Sequence, residues 1–236
     1  MALTPRLFIA IPCFNRFEIA QQCLPTIKVN RWDCVGIFND GSTEYRGSRL
    51  RKWCDWLFDR KERMGIEWQR RRHFRIFWRC YEKAGFTHFY LTDADALHDP
   101  SWRSEALHLQ DEYGGAPVCL YNTAAHVRLS GNTIEDNPGQ YVIWRRYAPG
   151  ISYLLTVEHV RIVMRHIDQM TNWDWQVCDW LGNRMAISRR SFVDHIGRGG
   201  IHHPENEGFN GGDVALNPTS FLVDKRAEVI SILSKE

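Results

Sequence analysis

An alternation runs through the first part of this chain and narrows its fold more than any other feature: an apolar stretch, a polar turn, a helical period, then the same again. Residues 6–14 read as a buried strand ended by Pro12, Cys13, Phe14 and Asn15, and residues 18–28 as a helix. Residues 34–39 (CVGIFN) form a second strand closed by Asp40, Gly41 and Ser42. A helix is expected over 45–60 and a short strand over 64–69. In 72–84, Phe74, Phe77, Trp78 and Tyr81 fall at i, i+3, i+4 and i+7, the spacing of an amphipathic helix. A fourth strand occupies 87–95 (THFYLTDAD). This βαβαβαβ order predicts a doubly wound sheet, parallel in this half.

The second half is less regular. Strands are expected over 117–127 and 140–147, with a turn at Ser130, Gly131 and Asn132 between them. Helices follow over 157–170 and 172–181, a late strand over 185–196 and a last helix over 222–233. The stretch 202–218 holds many Gly and Pro and is expected to close over a ligand as a lid. No repeat or low-complexity tract interrupts the chain.

Composition sets outer limits. With 236 residues, 44% hydrophobic and 25% charged, the chain has the make-up of a soluble globular protein with one good-sized core. Its formal net charge of +2 is not the footprint of a general nucleic-acid binder. Seven scattered Cys with no C-x-x-C spacing read as reduced thiols, and no apolar run reaches the ~20 residues of a membrane span. The expected location is therefore the cytoplasm.

The chemistry lies at the strand ends. In extended backbone Asp93 and Asp95, two apart, point to the same side. Two hard oxygen ligands there suit Mg²⁺ or Mn²⁺ carrying a diphosphate. An isolated Asp-x-Asp is more often a solvated turn. Here it is one of three turns, with Pro12 to Arg16 and Asn39 to Ser42, that a doubly wound sheet brings to one crevice.

Six motifs in order, IPCFNR, FNDGST, FYLTDAD, APGISYLL, NWDW and SFVDHIGRGGIHH, resemble the GT-A fold of nucleotide-sugar-dependent glycosyltransferases, in the family-2-like and N-acetylglucosaminyltransferase-like branch. The resemblance runs from residue 6 to about 204. It implies one GT-A domain over 1–236: a nucleotide-binding half (1–95), an acceptor and catalytic half (96–204), and a loop with a C-terminal helix (205–236). It implies that Pro12, Phe14, Asn15 and Arg16 line the nucleotide pocket and that Asp40 receives the base. Asp93, with Ala94 beside it, reaches the ribose or donor sugar, and Asp95 binds Mn²⁺ or Mg²⁺. The backbone of Gly150 approaches the sugar. A carboxylate after Trp173 is the general base of an inverting transfer from a donor expected to be a UDP-sugar, and a late His caps the metal. The sequence alone is also compatible with retention.

Two departures from that pattern matter. Where relatives carry a second acid after the Trp-Asp pair, this chain has Gln176, so the base is Asp174 or Asp179. Five residues apart on a helix, the two point about 140° from each other. Asp174, at the helix start and near Gly150, is preferred. The late motif has two adjacent His, of which His202 or His203 is the ligand, while His195 is expected to pack within the late strand.

In the basic run, one of Arg70, Arg71 and Arg72, with Arg71 the expected one, starts a helix near the crevice and is placed to meet the diphosphate. Arg71, Arg72, Arg75 and Arg79 otherwise form a solvated flank. A third reading is a polyanion track, in which Trp68, Arg70, Arg71, Arg72, Phe74 and Trp78, with Trp144, Arg145 and Arg146, interleave charge with rings. Short transferases of this type include phage enzymes that decorate hydroxymethylated bases in DNA. The acceptor is thus a glycan or small molecule on the overall charge, with DNA as the main alternative. A nucleotidyltransferase is a rival enzyme, but the PCFNR turn lacks the Gly-rich loop it needs. A non-catalytic nucleotide-sugar-binding module is the rival outside enzymology.

Overall fold

The structure, a computed structural model, describes residues 4–27, 30–197 and 214–234. In chain order the elements are β1 (Leu7–Cys13), α1 (Phe17–Cys23), β2 (Cys34–Asn39), β3 (Trp56–Asp59), α2 (Ile66–Ala84), β4 (His88–Thr92), β5 (Ala96–His98), α3 (Trp102–Glu112) and β6 (Val118–Cys119). They continue with α4 (Ala124–Arg128), β7 (Thr133–Glu135), β8 (Val142–Arg145), β9 (Ser152–Thr156), α5 (Val157–Met164), α6 (Trp173–Trp180), β10 (Met185–Ser188), β11 (Val193–His195) and α7 (Ser220–Leu233). Nine strands form one sheet in the order β3-β2-β1-β4-β9-β6-β10-β8-β7. The β3-β2-β1-β4 half is parallel, as expected, and β9 enters antiparallel between β4 and β6.

The parallel half is held by aromatic packing. Phe8 on β1 meets Phe77 of α2, Phe86 and Phe89, and Phe74 packs edge-on against Phe89 at 5.1 Å. All five are buried. Each contributes about 1.5–3 kcal/mol by leaving water. A second, smaller cluster of Ile19, Cys23, Leu97, Ile196, Leu222 and Val229 seats α7 on α1 and the β5-β11 pair.

Several expected elements are corrected. The helix over 45–60 is instead a short 3₁₀ segment (Gly47–Trp53) followed by β3. Asp55 turns the chain there, its carboxylate accepting the Val35 N–H at 2.8 Å, and Phe58 then stacks on Phe38 at 4.4 Å. With β3 in that sheet position, 64–69 is not a strand. Gly65 (φ 86) caps α2, which starts at Ile66. Of the strand expected over 117–127, Val118–Cys119 joins the sheet, Thr123 makes an isolated bridge, and the chain turns into α4. The late strand 185–196 breaks into β10, in the large sheet, and β11, which pairs antiparallel with β5. The elements α3 and β9 have no counterpart in the sequence reading.

Candidate functional site

The carboxyl ends of β1, β2 and β4 open into a cleft of about 310 Å³. The turn after β1 carries Asn15 and Arg16 in left-handed backbone (φ 52 and 54), a conformation that costs non-glycine residues energy and is held by surrounding bonds. Those bonds come from the next turn. Ser42 Oγ accepts the Asn15 N–H at 2.8 Å, Asn15 Oδ1 accepts the Thr43 N–H at 2.9 Å, and Glu44 accepts the Arg16 N–H at 2.6 Å. Asp40 is buried at the end of β2 and lines the cleft, its two oxygens accepting the N–H groups of Met64 and Gly65 at 2.9 and 2.7 Å. It thereby ties the second strand end to the start of α2. Pro12, Phe14 and Ala94 line the same cleft, and the Arg63 guanidinium lies 4.5 Å over the Phe14 ring.

Asp93 and Asp95 leave β4 into different surroundings. Asp93 is paired with Arg70, which is fully buried. Arg70 also donates to the carbonyls of Thr92 and Gly150, both at 3.4 Å, and stacks 4.3 Å over Trp173. Burial raises the Asp93 carboxyl above its usual range, although the Arg70 charge opposes it. Asp95 accepts from Arg16 at 3.0 Å and lies 3.2 Å from His195 Nε2. Burial would raise this carboxyl too, but the charge and hydrogen bond of His195, with Arg16, bring it down to about 2.

His195 therefore does more than pack in a strand, which corrects the sequence expectation. Its backbone pairs with Ala96 across β11 and β5, and the Ile196 N–H donates to the Asp95 carbonyl at 2.9 Å. That long-range pairing delivers the imidazole to Asp95. Of the basic run, Arg70 is the residue at Asp93, and Arg71 does not line the cleft. Starting the helical period at residue 66 would have turned Arg70 inward with Phe74 and Phe77.

Gly150 lies against α6. A Cβ there would sit 2.4 Å from a Trp173 ring carbon and 3.1 Å from Asp174 Cβ, so the Trp173 ring is itself a reason for glycine at this position. Asp174 is half-buried, accepts the Trp175 N–H at 2.9 Å, and has its carboxyl raised by burial. Asp179 is exposed and accepts from the Tyr147 hydroxyl at 3.1 Å. The structure thus brings Asp174, not Asp179, to Gly150. Gln176, the departure noted in sequence, turns its Oε1 back onto the N–H groups of Thr171 and Asn172 at 2.7 and 3.0 Å and fixes the entry to α6.

His202 and His203 lie outside the described residues, as does most of the expected lid. Of that stretch, Ala215 bridges to Thr123 and Pro218 to Ser191. Among the described residues no three His, Cys, Asp or Glu side chains converge tightly enough to hold an ion by themselves. No described helix is long and apolar enough to cross a membrane.

No protein-family model matches the sequence, and no curated protein matches it. Solved structures do. The structure of S. aureus TarS 1–349 in complex with UDP-GlcNAc superposes with a TM-score of 0.58 at 12% identity, over 84% of this chain and 60% of that one. The same TarS segment alone gives 0.56 at 10% identity (80% and 59%), and with UDP 0.56 at 10% (82% and 61%). This chain spans about 60% of those structures. At this identity the likeness speaks to the fold, which is GT-A: a large mixed sheet flanked by helices.

Proposed function

We propose that this protein is a glycosyltransferase that moves a sugar from a UDP-sugar to an acceptor hydroxyl with inversion. The observation that carries the reading is the convergence of Asp93, Asp95 and Arg16 on one cleft at the strand ends, with Asp174 reaching Gly150, whose carbonyl shares Arg70 with Asp93. The UDP-GlcNAc and UDP complexes of TarS, which has the same fold, support a UDP-sugar as donor. A cytoplasmic location fits seven unpaired cysteines.

In this reading Arg16 and Arg63 on the cleft rim meet the anionic donor, and buried Arg70 holds Asp93 in its orientation. Asp174, its proton affinity raised by burial, takes the acceptor proton as the hydroxyl attacks the anomeric carbon. A divalent ion fits as well. Asp95 and Asp93 offer two carboxylates, and Mg²⁺ or Mn²⁺ is commonly held by one or two carboxylates with the rest of its shell from substrate phosphates and water. His195 stands beside Asp95 as a nitrogen donor. Bound there, the ion would neutralise charge developing on the leaving diphosphate. Donor hydrolysis, screened across UDP-, GDP- and dTDP-sugars with and without Mn²⁺, tests the reading. Turnover of UDP-sugars lost in Asp95→Ala is expected, and no turnover of any nucleotide sugar would overturn it.

A second reading concerns the acceptor. Residues 46–79 hold twelve Lys and Arg against four Asp and Glu, a surplus of +8 in a chain of net +2. Among the described residues only Arg70 and Arg75 of these twelve pair with carboxylates. Arg60 and Arg72 lie over Trp68 at 4.4 and 5.2 Å, and Lys52 over Trp53 at 4.2 Å. Cations interleaved with rings favour a nucleic-acid acceptor. If so, retention on DNA-cellulose falls steeply with salt, and the slope drops by about one per phosphate-contacting Arg removed. No retention at low salt leaves a glycan or small molecule as acceptor.

A further inference from the structure

The helix that opens beside Asp40 brings a buried amide side chain to the cleft. Gln69 lies one turn after Gly65, which Asp40 binds, and one residue before Arg70, which Asp93 binds. Its backbone N–H donates to the Gly65 carbonyl at 3.1 Å, and it lines the cleft. The residue is only 4% exposed, and its Oε1 is buried with no hydrogen-bond partner among the described residues. An unmatched buried carboxamide oxygen is costly, and native structures rarely keep one without a reason. A ligand seated in the cleft would supply the missing partner.

On the reading above, Asp174 beside Gly150 marks the sugar end of the donor, and Asp95 with Arg16 marks the diphosphate. The nucleoside is left the side formed by the end of β2 and the start of α2, where Phe14 and Ile66 supply apolar walls. Asp40 stands there too, but each of its oxygens already accepts a backbone N–H, from Met64 and Gly65. A carboxylate also has no hydrogen to offer a carbonyl. A carboxamide offers both functions side by side, an acceptor oxygen and an NH₂ donor, and its last torsion lets the two exchange places. That pair matches a base edge on which a ring N–H lies next to a carbonyl, as in uracil. We propose that Gln69 is a specificity-determining residue for the donor: its carboxamide reads the N3–H and the adjacent carbonyl of uracil, while Asp40 holds the turn that carries α2 into place. The proposal rests on reading the cleft as a UDP-sugar site.

Nucleotide binding, measured by calorimetry on the full chain with Mn²⁺, tests this without turnover. Three probes are compared: UDP, 3-methyluridine diphosphate, which lacks the N3–H, and ribose 5-diphosphate, which lacks the base. Each is titrated into wild type and Gln69→Met, whose side chain fills similar space without an amide. Wild type should bind 3-methyluridine diphosphate roughly ten-fold more weakly than UDP, the scale of a hydrogen bond broken in a buried site. Gln69→Met should bind UDP weaker by a similar factor, bind ribose 5-diphosphate as wild type does, and respond little to the N3 methyl group. That loss of additivity is what direct contact between Gln69 and the base edge requires. A wild type that binds UDP and 3-methyluridine diphosphate equally overturns the proposal with no variant needed. So does a Gln69→Met protein with the wild-type Tm that still shows the full effect of the methyl group, or that loses UDP and ribose 5-diphosphate alike, as a purely structural residue would. A wild type that binds none of the three probes strikes the UDP-sugar reading, and the assignment of Gln69 falls with it. UDP binding that ignores both the N3 methyl and Gln69→Met strikes Gln69 alone.

Discussion

At the scale of single residues, two aspartates on one helix differ because of what lies beside them. Asp174 is half-buried next to Gly150, and Asp179 is exposed under the Tyr147 hydroxyl. Asp174→Asn should keep donor binding and lose transfer by at least ~10²-fold, the usual scale for removing a general base. Asp179→Asn should retain most activity. Measured kcat and donor affinity check the pair, and a dead Asp179→Asn beside an active Asp174→Asn would reverse the assignment. Gly150 offers a steric test. An alanine methyl there must displace the Trp173 ring, 2.4 Å away, and carry the start of α6 with it. A shift of about 1 Å at a reacting group is worth roughly 10²-fold in rate, so Gly150→Ala should lower kcat by about that factor. A Gly150→Ala enzyme with wild-type kcat would mean that α6 is not held by this contact.

At the scale of elements, the cleft is assembled by turns that bind one another. Asp40 gives both oxygens to the backbone at the entry to α2. Asp40→Ala leaves two buried-side N–H groups without that acceptor and should destabilise the protein by about 2–4 kcal/mol, given ~1.5–3 for a bond to a charged group and partial replacement by water. A thermal melt checks this, and an unchanged Tm would reduce Asp40 to a ligand contact only. The same elements mark how far sequence could be read. The strand ends at Asp40, Asp93 and Asp95 were legible because apolar runs stop there in polar turns, a local signal. Asp174 was legible through its place after a helix start. β3 was not, because WLFD becomes a strand only by pairing with Gly36 to Asn39 and stacking Phe58 on Phe38. β9 was hidden for the same reason, its SYLLT being buried between strands far away in sequence. His195 reaches Asp95 only through the β5-β11 pairing, a contact across a hundred residues that no periodicity encodes.

At the scale of the whole molecule, the core holds histidines in their neutral form, and this sets a pH limit on the fold. His98 is fully buried among Tyr90, Thr92 and the Ala96 carbonyl, and burial pushes it down to about 3. His159, in the capping box that opens α5, is pushed down to about 4, and burial also lowers His88 and, strongly, His73. All four therefore refuse a proton in the folded state that the unfolded chain accepts near pH 6.5. Above that pH they are neutral in both states and stability is unaffected. As pH falls below it, the unfolded state gains protons first, and stability drops by up to ~1.4 kcal/mol per pH unit per histidine until each folded value is reached. Urea midpoints should fall steadily from pH 6.5 towards 4. His73 separates this from general acid denaturation. Its ring packs tilted against Phe38, centroids 4.1 Å apart, and both ring nitrogens are buried without hydrogen-bond partners. His73→Leu removes one acid-sensitive group and two unsatisfied polar atoms together. It should flatten the acid limb by about one proton and raise the midpoint at pH 7. If His73→Leu follows the wild-type curve at every pH, the buried histidines are not what limits the fold in acid.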